Sequence, residues 1–124
     1  MKQVDNYLDK LNEQFDGHIA ATDIRGDFNS EWTDCYETRC YRQFENKYER
    51  DFCKVNCVIA SANTAIARLN AAKSKCNTAE NPNRCVKTLE TAVKSFQNKL
   101  QKAREAQTAI NARMAAFRAK AGGA

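Results

Sequence analysis

The sequence predicts an all-α protein: a long antiparallel coiled-coil helical hairpin, stapled by disulfides and preceded by a short N-terminal amphipathic helix. Three observations carry this. The 124 residues include only 4 Gly and 1 Pro, so the turns that sheet architectures need roughly every 8 to 12 residues are missing. Two stretches repeat apolar residues at alternating intervals of three and four, the spacing of a helical seam. Six cysteines in so short a chain point to a covalently stapled fold made in an oxidising compartment.

The first element is an amphipathic helix carrying Val4, Tyr7, Leu8, Leu11 and Phe15 on one face. From Gly17 to Ser30 the pattern dissolves around Gly17, Gly26 and Asn29. This stretch reads as a connection with at most a short helical piece, and the adhesion-type tripeptide Arg25-Gly26-Asp27 within it reads as a solvated turn. A second helix opens near Asp34, which has capping-box spacing to Glu37, with Trp32 as an apolar anchor before it. Its seam is Tyr41, Phe44, Tyr48, Phe52, Val55, Ile59, Ala62, Ile66 and Leu69. No Gly or Pro interrupts it between Asp27 and Pro82, so one helix is expected to about Lys75, roughly 60 Å long.

Asn77, Asn81, Pro82 and Asn83 cluster as breakers, and Asn81 followed by Pro82 is an N-cap with Pro at the first helical position. The third helix then presents Val86, Leu89, Val93, Phe96, Leu100, Ala103, Gln107, Ile110, Met114 and Phe117, of which only Gln107 is polar. Two such seams joined by a short loop fold back on each other. The chain is thus expected in three segments: residues 1–33 as N-terminal helix and connector, 34–120 as the stapled hairpin, and 121–124 as a frayed tail.

Cys76 and Cys85 flank the hairpin loop, where a bond needs little rearrangement. Closing this loop removes about 2.7 kcal/mol of chain entropy. The other four cysteines depend on the second helix. If it is continuous, Cys40 and Cys53 lie about 20 Å apart and cannot bond. Local pairing of Cys35 with Cys40 is then feasible, and Cys53 with Cys57 would be strained. If the chain turns near Asn46, Cys35 pairs with Cys57 and Cys40 with Cys53, a nested arrangement against which the unbroken heptads argue. Cys76, Cys85, Cys35 and Cys40 are therefore the expected disulfide cysteines, with the partners of Cys53 and Cys57 open. Structural metal is not expected, because there is no CxxC knuckle and His18 is the only histidine.

Charge divides along the chain: residues 1–50 sum to −4, 51–85 to +3 and 86–124 to +6, giving the overall +5. The last helix is a basic rod, with Lys94, Lys99, Lys102, Arg104, Arg113, Arg118 and Lys120 off the seam. These residues form the expected interaction face, suited to acidic protein surfaces or anionic lipid headgroups. Nucleic acid is not an expected partner, because no binding motif accompanies the charge. No uncharged apolar run approaches the ~20 residues of a membrane span.

Catalysis is not expected either. The sequence has no glycine-rich phosphate loop, and its single histidine has no nucleophile motif nearby. No cofactor is implied, and Tyr36, Tyr41, Phe44 and Tyr48 read as packing groups. The N-terminus has no apolar leader core and, with Asp5, Asp9, Glu13 and Asp16, is too acidic for a transit peptide. The expectation is that a leader has been removed or is not needed.

From about Cys35 onward the chain resembles the PDSW-type accessory subunit of mitochondrial respiratory complex I. Cys35 and Cys40 precede a Tyr-rich helix with Tyr41, Phe44, Tyr48, Arg50 and Asp51. Cys76 and Cys85 bracket a polar loop, and Cys85, Val86, Lys87, Glu90, Lys94, Phe96 and Gln97 follow in similar order before a basic, Ala-rich helix. The interval from Cys40 to Cys76 is about two turns longer than usual, Cys53 and Cys57 have no counterpart, and nothing before Cys35 matches. The resemblance implies a non-catalytic structural subunit among others of a large membrane complex, peripheral on the intermembrane-space side of the mitochondrial inner membrane. It also implies a Cys76–Cys85 bond and none between Cys40 and Cys53.

Two other readings accompany it. Cys35, Cys40, Cys53 and Cys57 are similar, with x4 in place of the first x3, to the twin cysteine motif of the small Tim chaperones of the same compartment. Nested linkage favours that reading. A secreted or periplasmic helical binding module is the third.

Overall fold

The computed structural model describes residues 14–122, and among them the fold is all-α. Helix α1 spans Gly17–Cys35 and passes into a π-helical turn over Tyr36–Tyr41. Helix α2 spans Lys47–Lys73, a 3₁₀ turn covers Cys76–Thr78, and α3 spans Pro82–Gly122. The amphipathic stripe from Val4 to Leu11 lies outside the described residues. Helix α3 continues into the stretch expected as a frayed tail.

Pairs of touching residues fix the directions. Asn56 meets Gln107 and Tyr48 meets Phe117, while Cys76 meets Cys85, so α2 and α3 run antiparallel as the expected hairpin. Phe28 meets Phe96 and Gly17 approaches Cys85. Because both pairs have the same sequence offset, α1 lies parallel to α3. The result is an up-down-up arrangement in which three helices surround the core at the bend end, while α1 stops short of the far end.

Each helix start has a polar cap that satisfies its first amides. Asp16 Oδ1 accepts from the amides of His18 at 2.9 Å and Ile19 at 3.1 Å. Asn46 Oδ1 accepts from those of Tyr48 and Glu49, and Asn81 Oδ1 from that of Arg84, with Pro82 opening α3 as the breaker cluster predicts.

Two expectations are corrected. The stretch read as a connection is helix α1, whose stripe Gly17, Ala21, Ile24 and Phe28 is buried; packing on the hairpin outweighs the low propensity of its glycines. Arg25-Gly26-Asp27 therefore sits in mid-helix, not in a turn, and Asp34 belongs to the last turn of α1 instead of opening a helix.

The helix expected without interruption from Asp34 to Lys75 is broken between Arg42 and Asn46. Here the chain reverses, and Arg50 holds the reversal by donating from Nε and Nη2 to the Phe44 carbonyl at 3.0 and 2.8 Å while lying over the Tyr41 ring. The apolar repeat runs through this turn because both sides of it pack, Phe44 before and Tyr48 after, each half-buried. Periodicity alone does not register such a reversal.

The core is one cluster. Leu69, Leu89 and Phe96 are almost completely buried, with Ala62 and Ala65 between helices and Phe28 reaching in from α1. The Phe28 and Phe96 rings meet edge to face at 5.0 Å, a geometry favoured by the ring quadrupoles. Toward the far end, where α1 is absent, burial fades: Ile110 and Met114 are half-buried and Phe117 is 55% exposed.

Candidate functional site: nested disulfides beside an open groove

All six cysteines are bonded. Cys76 is joined to Cys85 across the bend. The local Cys35–Cys40 pair is not formed; Cys35 is joined to Cys57 and Cys40 to Cys53, the nested arrangement that a turn near Asn46 permits. The premise that kept Cys40 and Cys53 apart, a continuous helix, fails at that turn.

The π turn explains how a five-residue spacing serves this geometry. In an α-helix, residues five apart point about 140° away from each other. The wider π turn, with its i to i+5 bonding, returns Cys35 and Cys40 to one face. On α2, Cys53 and Cys57 are four apart and already share a face. Two ladders of matching pitch then meet rung to rung. Cys40 and Cys57 are buried, at 0% and 3% exposure, whereas Cys35 and Cys53 are partly exposed. Cys40 Sγ lies 3.7 Å from Cys57 Sγ, and the sulfurs of Cys40, Cys53 and Cys57 all lie within 4.8 Å of one another.

Beside this clamp, where α1 leaves off, a groove of about 650 Å³ opens between the three helices. Phe28, Trp32, Val55, Val58 and Ile110 form its apolar wall, and Lys54, Lys99 and Lys102 stand around it with Asp51. Lys54 Nζ lies 5.5 Å from the centres of both the Trp32 and the Tyr36 rings, within cation–π range. The groove thus offers apolar surface under a positive rim, a combination suited to an apolar segment carrying acidic flanks.

Of the expected interaction residues, Lys94, Lys99, Lys102, Arg104, Arg113, Arg118 and Lys120 are all exposed on α3. They do not form one stripe. At about 3.6 residues per turn, Lys102, Arg113 and Lys120 align with Lys99 beside them, while Lys94, Arg104 and Arg118 point elsewhere. Only Lys99 and Lys102 reach the groove.

The groove's aromatic wall does not stand out in the sequence, because Phe28 lies in the stretch that reads as a connection and Trp32 at its edge. The signal was present in the intervals from Gly17 through Ala21, Ile24 and Phe28 to Trp32, which are 4, 3, 4 and 4, a helical stripe. His18 is exposed at the bend end, near Arg84 and Thr88, in a separate surface depression. Gln107, the polar residue of the seam, is half-buried and donates from Nε2 to Asn56 Oδ1 at 2.8 Å.

Arg68 donates to Glu31 at 2.6 Å across α1 and α2. This hydrogen bond, with the carboxylate charge, pushes the guanidinium further toward its charged form. The pair is solvent-exposed and counts for little in stability. Among the described residues, no helix is long and apolar enough to cross a membrane.

Comparison with protein families, with curated proteins and with solved structures returns no match.

Proposed function

We propose that this chain is a non-catalytic helical binding module of the mitochondrial intermembrane space, of the twin-cysteine kind, which holds apolar segments of partner proteins. The observation that carries the reading is the nested linkage of Cys35 with Cys57 and Cys40 with Cys53. It clamps two antiparallel helices in the manner expected of the small Tim-type motif, with the π turn absorbing the extra residue. The groove supplies the binding surface, and its lysines favour a segment with acidic flanks over one with basic flanks.

Trp32 is the only tryptophan of the chain and lines that groove, so its emission reports occupancy. Titrating the oxidised protein with an apolar peptide flanked by glutamates should shift Trp32 emission to the blue, with affinity in the micromolar range. The double variant Lys99→Glu with Lys102→Glu should lose the shift. Unchanged emission up to millimolar peptide would overturn the reading.

A second reading is an accessory subunit of complex I, peripheral on the intermembrane-space face. The Cys76–Cys85 bond at the bend supports it, and the Cys40–Cys53 bond, which that resemblance does not imply, weighs against it. Native electrophoresis separates the two: a subunit travels with a very large membrane assembly, whereas a carrier runs as a small soluble species.

A further inference from the structure

The four clamp cysteines differ in access in a way the bonding pattern alone does not suggest. Each disulfide joins one buried sulfur to one partly exposed residue: Cys57 to Cys35, and Cys40 to Cys53. The two buried sulfurs, from different disulfides, are in contact at 3.7 Å. Neither carries a hydrogen, so this is a van der Waals contact, and it places a sulfur of one bond against a sulfur of the other in a site closed to solvent.

We propose that the two bonds form a single exchange-coupled unit, in which a small-molecule thiol adds at Cys35 or Cys53 and the chain retains a new, buried Cys40–Cys57 disulfide. Thiol–disulfide exchange proceeds by attack of a thiolate on one sulfur with expulsion of the other. An external thiolate RS⁻ attacking Cys35 forms Cys35–S–SR and expels the Cys57 thiolate. Cys57 then attacks Cys40, forming Cys40–Cys57 and expelling the Cys53 thiolate.

Entry at the other exposed position gives a matching outcome. Attack on Cys53 expels Cys40, which attacks Cys57 and expels Cys35. Both routes start with two disulfides and one thiolate and end with two disulfides and one thiolate. No oxidant or reductant is consumed. Both also end with the hairpin clamped by the buried pair, one exposed cysteine carrying the adduct and the other free.

In the first route the expelled Cys57 thiolate is generated in a dry site 3.7 Å from Cys40 Sγ. Because the sulfurs of Cys40, Cys53 and Cys57 all lie within 4.8 Å of one another, this approach is oblique to the Cys40–Cys53 bond, and the freed Cys57 side chain turns into line before it displaces Cys53. Burial in apolar surroundings disfavours the charged form, and exchange moves that charge to a sulfur with access to water. The bend disulfide, Cys76–Cys85, has no third cysteine clustered with it among the described residues and serves as an internal reference. The clamp would thus be a reversible thiol-modification site whose opening does not release the fold. This inference is independent of the proposed binding function.

The test uses the native oxidised protein and reduced glutathione. After a short exposure, acid quenching and alkylation, trypsin cuts at Arg39, Arg50 and Lys54 and leaves each clamp cysteine on its own peptide. The expected result is a linked Cys40–Cys57 peptide pair with one glutathione on Cys35 or Cys53, the remaining one of these two alkylated, and an unchanged helical circular dichroism signal. Recovering Cys57 as a thiol or adduct beside an intact Cys40–Cys53 bond would overturn the proposal. So would alkylation of all four cysteines, or opening of Cys76–Cys85 before the clamp.

Discussion

Gly17 and Gly26 look alike in the sequence and have opposite meanings in the fold. A Cβ on Gly17 would lie 2.9 Å from Cys85 Sγ and 3.2 Å from the Cys85 carbonyl oxygen, so the start of α1 rests on the bend disulfide only because no side chain intervenes. A Cβ on Gly26 meets nothing within 4 Å. The Gly17→Ala variant should therefore lose about 1–3 kcal/mol through overpacking. Gly26→Ala, on an exposed mid-helix position, should gain about 0.5–1 kcal/mol. Denaturant midpoints of the two variants check both signs, and a stabilised Gly17→Ala would show that α1 does not seat on the bend. In the sequence both residues read as breakers, because a glycine that permits close approach is distinguished from an incidental one only by the atoms opposite it. The cysteines posed a similar problem, since four of them admit several pairings and only the position of the turn selects one.

At the scale of elements, the two seams of the hairpin were legible because their repeat is long and uninterrupted, and the bend was legible because asparagines and a proline concentrate there. Helix α1 and the reversal at Arg42–Asn46 were not. The first carries its stripe on a glycine, an alanine and two larger residues, which gives a weak amphipathic signal. The second is held by Arg50 on the Phe44 carbonyl, a capping interaction that no residue type announces. The π turn suggests a sharper experiment. If it serves only to bring Cys35 and Cys40 to one face, deleting Thr38 should convert Tyr36–Tyr41 to α-helix with the nested pairing intact, as tryptic mapping would reveal. Scrambled pairing in that deletion would refute this role. Helix α1 also depends on Phe28 against Phe96, and Phe96→Ala should cost about 3–5 kcal/mol, read from thermal or denaturant unfolding.

For the molecule as a whole, the covalent links divide the work with a modest core. The all-α, disulfide-stapled class could be read from glycine and proline scarcity, seam periodicity and cysteine number. The three-helix packing could not, because it depends on α1. In the chain-entropy treatment each closure taken alone is worth about 3 kcal/mol, and the nested pair counts for less than twice that, since the inner bond already shortens the outer loop. Full reduction should lower unfolding stability by several kcal/mol, measured as the shift in midpoint with and without reductant; an unmoved midpoint would mean that packing alone holds the bundle. The brevity of the Arg42–Asn46 connection has a last consequence for assembly. Before oxidation, α1 can lie on its own hairpin or, by domain exchange, on that of a neighbouring chain. The clamp then seals whichever partnership exists when the thiols react. Dilute oxidation should give single chains and concentrated oxidation interlinked pairs, so that the conditions of maturation, rather than the final contacts, set how many chains the product contains.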